Sequence, residues 1–328
     1  MLKLTEMKRK IIITGALTLL FGAIIFMAWD MFFNKPGNNV NPYAYDLKTV
    51  KSGDTSQVMY AEVRHFEPSL PAIHAIAADR NGLLYVAGEK GVELFDTSGR
   101  RITGFIIDGA ASAVTVDGKG QIFLGIGDHI EVFDKSGKRI KKWAPCGPDA
   151  IITSVAVRGN DVYVADAANK VACHFDLSGN LVKKIGEKDP ARKIPGFVVP
   201  SPYFDLGIGP EGELWVVNPG RHRLEKYNRE GDLTFSWGES TMSMEGFCGC
   251  CNPSNFALMA DGSFVTSEKG IERIKVYSPE GVFRHVVAGP DAFTEGTKGL
   301  DLAVDPSGRI VVLDPGKKQI RIFSLKKN

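Results

Sequence analysis

The chain has 328 residues, 44% hydrophobic and 24% charged, and its 40 basic and 38 acidic side chains leave a net charge of +2. That balance fits a protein that buries a real core, and the length suits one large all-β unit as well as two ordinary domains. Charges of both signs are mixed along the chain with no basic block, so a phosphate backbone is excluded as the expected partner and no nucleic acid is predicted.

Residues 1–10 form a short tail ending in Lys8, Arg9 and Lys10. Ile11 to Trp29 then read "IIITGALTLLFGAIIFMAW" without a charge. A helix of that length rises about 28 Å, close to the hydrocarbon thickness of a bilayer. This predicts a single-pass transmembrane anchor over 11–33, with the N-terminus in the cytoplasm because the cations precede the apolar run. Everything after it would be extracytoplasmic, periplasmic or extracellular. The bulky "MAWDMFF" carries no small-x-small cleavage site, which favours an uncleaved signal anchor over a removed signal peptide. Residues 34–56, rich in Asn, Gly, Pro, Ser and Lys, read as a linker.

From residue 57 onward the chain repeats. "VELFDTSG", "IEVFDKSG", "ACHFDLSG", "LEKYNREG" and "IKVYSPEG" each alternate, end in an aromatic residue, and reach a glycine: Gly99, Gly137, Gly179, Gly231 and Gly281. A glycine there supplies the positive φ of a tight hairpin. "IRIFSLKK" is a sixth copy that stops before its turn, and each copy is preceded by an apolar strand, a polar turn and a second apolar strand. Four antiparallel strands in a period of roughly 40–50 residues are the pattern of a propeller blade. The prediction for 57–328 is an all-β, six-bladed β-propeller, with "SQVMYAEVRHF" (56–66) completing the last blade and closing the ring.

"LAVDPSGRIVVLDPGKKQIRIF" and "VNPGRHRLEKY" resemble NHL repeats, and the likeness runs over about residues 74 to 325. It implies the fold far more than a function, since such repeats serve as binding platforms, structural modules and a few enzymes. Repeat three departs from the pattern with a shortened turn, "VRGND", and repeat four with the insertion "EKDPARKIPGFVVPSPY" in front of it.

Three places could carry function. The first is "EGFCGCCNP" (245–253), which holds Cys248, Cys250 and Cys251 and leads into repeat five, while "APCGPDA" brings Cys146 to the equivalent place before repeat three. Propeller topology puts both loops on one face. Cys248 and Cys251, in C-x-x-C spacing, could form a disulfide; the cysteines could bind iron–sulfur, copper or zinc, with Cys146 as a fourth ligand; or the loop could simply be packed. Cys173, on a third strand where other repeats carry Glu93, Glu131, Glu225, Lys275 and Arg321, reads as an incidental free thiol. The second place is the axis, where aligning the first strands on their turns superposes Ser154, Asp205, Asn255 and Asp301, oxygen donors that could hold Ca²⁺. The third is the loop residues Asp166, Arg221 and His222 on the cysteine-bearing face, a surface for a protein partner.

No G-x-S-x-G, H-E-x-x-H or phosphate loop occurs. The leading expectation is a membrane-anchored propeller that binds or scaffolds a protein and carries a disulfide, soft-metal or redox site in its cysteine loop. The alternative is a metal-dependent hydrolase or lyase of the lactonase-like propeller kind, with an axial divalent cation.

Overall fold

Alternating apolar residues interrupted by glycine turns make each repeat a run of antiparallel strands, and the strands pack through one face onto the next repeat. A computed structural model describes residues 13–15, 17–27, 29, 58–249 and 251–326. The chain divides into two compact units, Met1–Asp46 and Leu47–Asn328.

In the first unit residues 13–15, 17–27 and 29 are helical, and large apolar side chains such as Leu19 and Phe26 are exposed. Among the described residues no helix is long and apolar enough to cross a membrane, so the span expected over 11–33 is not observed. The tail 1–10 and the linker up to residue 56 lie outside the described residues.

The second unit is an all-β propeller. Its hydrogen bonds define five sheets rather than the six separate blades expected from the repeats. Among the described residues four sheets have four strands each; the fifth has six, because the second and third strands of repeat one form one element, Leu84–Phe95, and repeats one and two are joined through another, Arg101–Val116. That strand is both the last of repeat one, paired with Leu84–Phe95, and the first of repeat two, paired with Ile122–Ile126. The cause is local. Every later junction carries prolines, which interrupt ladder bonding. "GFIIDGAASAVTV" has none, and Gly109 at φ +102° lets the chain bend without leaving the sheet.

Ring closure follows the expected route. Tyr60–Phe66 pairs antiparallel with Gln319–Leu325, from Tyr60 opposite Leu325 to Phe66 opposite Ile320, so the start of the propeller completes its last sheet. All six repeat aromatics, Phe95, Phe133, Phe175, Tyr227, Tyr277 and Phe323, are buried. The turn glycines have a second duty besides positive φ. A Cβ on Gly179 would overlap the Trp143 ring, and one on Gly281 the Trp237 ring, each tryptophan coming from the preceding repeat. Neighbouring repeats therefore interlock ring against glycine, a fit that any larger residue would break.

Candidate functional site

The axial register is where the alignment of the repeats put it. Ser154, Asp205, Asn255 and Asp301 all line one central channel of 330 Å³. Their bonding shows what the positions do. Asp205 Oδ2 accepts the N–H of Phe256 (2.8 Å), on the first strand of the next repeat, while its Oδ1 accepts the N–H of Leu206 (2.8 Å). Asp301 Oδ2 accepts the N–H of Ile76 (2.8 Å), which ties the last repeat to the first, and its Oδ1 accepts Asn255 Nδ2 (3.2 Å). Ser154 Oγ meets the N–H of Leu206 at 3.3 Å, and Ser112 Oγ donates to the carbonyl of Ile152 at 2.5 Å. The polar axis is a ring of clasps between consecutive inner strands.

Burial pushes the Asp205 carboxyl up to about 6. Burial, reinforced by the charge of Asp205, pushes Asp301 up to about 7. Both shifts have the same origin, burial of a carboxylate with no cation beside it among the described residues. The described residues contain no group of three His, Cys, Asp or Glu side chains able to hold a metal ion, and four carboxylate oxygens already accept N–H groups. The axial carboxylates thus act as acceptors that join one inner strand to the next.

The cysteines separate. Cys146 forms a disulfide with Cys173, across a sequence separation of 27. This corrects two expectations: Cys173 is no incidental thiol, and Cys146 is no fourth ligand for the loop before repeat five. Cys250 lies outside the described residues. Cys251 is buried and accepts a bond from Ser201 Oγ at 3.4 Å. Cys248 is buried against a charged cluster, its Sγ 3.7 Å from Glu268 Oε2 and 3.4 Å from Arg273 Nη2. Burial, with the Glu268 charge adding to it, pushes the Cys248 thiol above its ordinary value.

The disulfide has a counterpart in most of the other repeats, and that counterpart identifies what the sequence reading missed. At the register position of Cys173, the third strand reaches the loop that leads into its own blade. Glu93 accepts the N–H of Ser69 at 2.8 Å, and Arg321 Nη1 donates to the carbonyl of Ala292 at 2.8 Å. Lys275 Nζ donates to the carbonyls of Gly246 (2.5 Å) and Met244 (3.1 Å). Glu225 acts at one remove: it accepts Asn218 Nδ2 (2.9 Å), and Asn218 Oδ1 takes the N–H of Val198 (2.9 Å) in the insertion before repeat four. Cys173 does covalently what these do by hydrogen bonding. The available signal was the unbroken run of polar or sulfur side chains at one strand position.

Lys275 sits in the most heavily charged of these anchors. Glu268, Arg273 and Lys275 are at most 1% exposed, and Glu268 meets Arg273 at 2.9 Å and Lys275 at 2.8 Å. Burial alone would raise the Glu268 carboxyl, but the two cations outweigh it and hold it below its usual value.

The three face residues differ in kind. Asp166 is wholly buried and caps Ile151 and Asn169 through their N–H groups, both at 3.1 Å, so it fastens a loop. Arg221 is exposed and reaches the carbonyl of Pro195 at 3.3 Å. His222 adopts φ 57° and is half-buried, with Nδ1 unpartnered among the described residues.

Reducing the Cys146–Cys173 bridge, or replacing Cys173 with serine, should cost about 3.5 kcal/mol, the loop-closure value for a ring of this size. Thiol titration of the unfolded chain should rise by at least two groups on reduction; an unchanged count would remove the bridge from the structure.

No family model and no curated protein matches the chain. Among solved structures it is similar to a streptogramin B lyase, with 12% identity, a TM-score of 0.57, and 81% of this chain and 98% of that one covered. It is also similar to virginiamycin B lyase from Staphylococcus aureus, with 10% identity, a TM-score of 0.55, and 81% and 100% covered. The WD40 β-propeller domain of Doa1 is comparable at 14% identity and a TM-score of 0.53, with 78% and 79% covered. At such identities the likeness is one of fold alone, and the fold is the β-propeller.

Proposed function

We propose that this chain is a non-enzymatic binding propeller of NHL-type repeats, located outside the cytoplasm, whose cysteine-bearing face receives a protein partner. The observation that carries the reading is the fastening of that face. Its loops are tied to the strands beneath by a disulfide, a buried lysine, an arginine and glutamates, so the surface is held rigid rather than left to close over a substrate. Such preorganisation lowers the cost of association. A disulfide between buried cysteines also agrees with an oxidising compartment.

The lyase-like alternative draws on the two carboxylates that share the axial channel. Their oxygens already clasp neighbouring strands, which favours the binding reading.

A photo-crosslinking side chain at Arg221, in cells producing the full chain, should give a discrete protein adduct. The same group at Glu211, on the turns of the opposite face, should give none. Equal labelling at both positions, or none at Arg221, would count against a partner-binding face.

A further inference from the structure

On the face away from the cysteine loop, the turns between first and second strands of repeats one to three surround a cavity of 750 Å³. Its wall mixes polar and charged groups with apolar side chains, Leu83, Tyr85, Leu94, Ile102, Ile122 and Leu177. Ile102 is 46% exposed, a large aliphatic side chain left open toward this space. The volume lies within the ~300–1,000 Å³ that small-molecule sites occupy.

The charges around it are unbalanced. Arg80, Lys119, Lys135 and Arg158 face only Asp79 and Asp117, a net charge of +2. The carboxylates are engaged in shaping their own turns. Asp79 Oδ1 accepts the N–H groups of Asn81 (2.8 Å) and Leu83 (2.9 Å), and Asp117 Oδ1 those of Lys119 and Gln121 (both 2.8 Å). Arg158 is engaged as well, donating to the carbonyls of Gly209 and Pro210. Arg80, Lys119 and Lys135 have no ion pair among the described residues. The Lys135 stem crosses Gly120, where a Cβ would overlap its Cε, so the glycine is what lets this lysine lie over the turn beside the cavity.

Three unpaired cations on a flat surface would merely be solvated. Placed around a hollow of ligand size that also carries apolar side chains, they complement a molecule with one anionic end and an apolar body. We propose that this cavity binds a small amphipathic anion, an aromatic or short-chain carboxylate or sulfonate. Its head would lie among Arg80, Lys119 and Lys135, and its apolar part against Tyr85, Leu94 and Ile102. This site is independent of the partner-binding face and does not require it.

Naphthalene-2-sulfonate tests the proposal by isothermal titration calorimetry on the purified full chain, with naphthalene-2-sulfonamide as the uncharged counterpart. The sulfonate should bind at one saturable site. Affinity should fall at least about tenfold, or about 1.4 kcal/mol, for the sulfonamide and for the K119Q/K135Q double variant, whose changes are exposed and leave the fold intact. Ile102→Ser should weaken both compounds alike. No saturable binding up to about 1 mM, or equal affinity for the two head groups or for wild type and K119Q/K135Q, would overturn it.

Discussion

Replacing Lys275 with alanine should destabilise the propeller by about 3–5 kcal/mol, the cost of leaving a buried charge without one of its partners. Lys275 is fully buried; its Nζ lies 2.8 Å from Glu268 Oε1 and holds the carbonyls of Gly246 and Met244. The ammonium also sits 4.8 Å from the ring of Phe247 and 5.3 Å from that of Tyr277, so the variant loses packing as well as charge. For a domain of this size each kcal/mol is worth about 2–4 °C, so the melting temperature should fall by about 10 °C. The loop before repeat five should loosen at the same time, exposing Glu239 and Glu245 to a glutamate-specific protease. A drop below about 1 kcal/mol with the loop still protected would show that the lysine does not fasten it.

The second large effect is one of pH. Asp301 titrates near 7 and Asp205 near 6 in the folded chain, both above the carboxylate value of 3.8. The folded state therefore binds protons more tightly than the unfolded state between about pH 4 and 7, and stability from this pair falls as pH rises through that window. Depressed groups such as Glu268 act in the opposite sense, their contribution being lost as pH falls. The Asp301→Asn variant isolates the axial term. Its carbonyl can still accept the N–H of Ile76, and its new Nδ2 can meet Asn255 Oδ1, a buried atom without a partner among the described residues, once that amide flips. Relative to wild type, the variant should gain about 3 kcal/mol between pH 5 and pH 8 in urea unfolding. A difference that stays flat across that range would mean that Asp301 is ionised throughout.

Much of the architecture was legible because it depends on local chemistry. The glycine after each aromatic strand is needed by the turn it makes, so the repeats announce themselves in Gly99, Gly137, Gly179, Gly231 and Gly281, all at positive φ. The axial register was legible for the same reason: strand alternation carries a fixed distance from the turn to the channel, and Ser154, Asp205, Asn255 and Asp301 lie together there. The fusion of repeats one and two was not, since the absence of proline from one junction permits a continuous strand without requiring it.

The chemistry of the sites was less legible than their position. Cysteine density drew attention to 248–251, yet the disulfide joins Cys146 to Cys173, one from a loop and one from the middle of a strand. Asp205 and Asp301 looked like ligands from their residue type, but their oxygens take up backbone N–H groups of adjacent repeats.

By itself the sequence determined the strands, their turns and which residues face the axis, because those follow from side-chain alternation and the backbone freedom of glycine. Only the tertiary structure decided the partners: Cys173 with Cys146, Lys275 with the Gly246 carbonyl, Asp301 with the Ile76 N–H. The physical reason is that a buried polar atom must bond to whatever the closed ring brings within 3 Å or so, and that neighbour comes from another strand or another repeat.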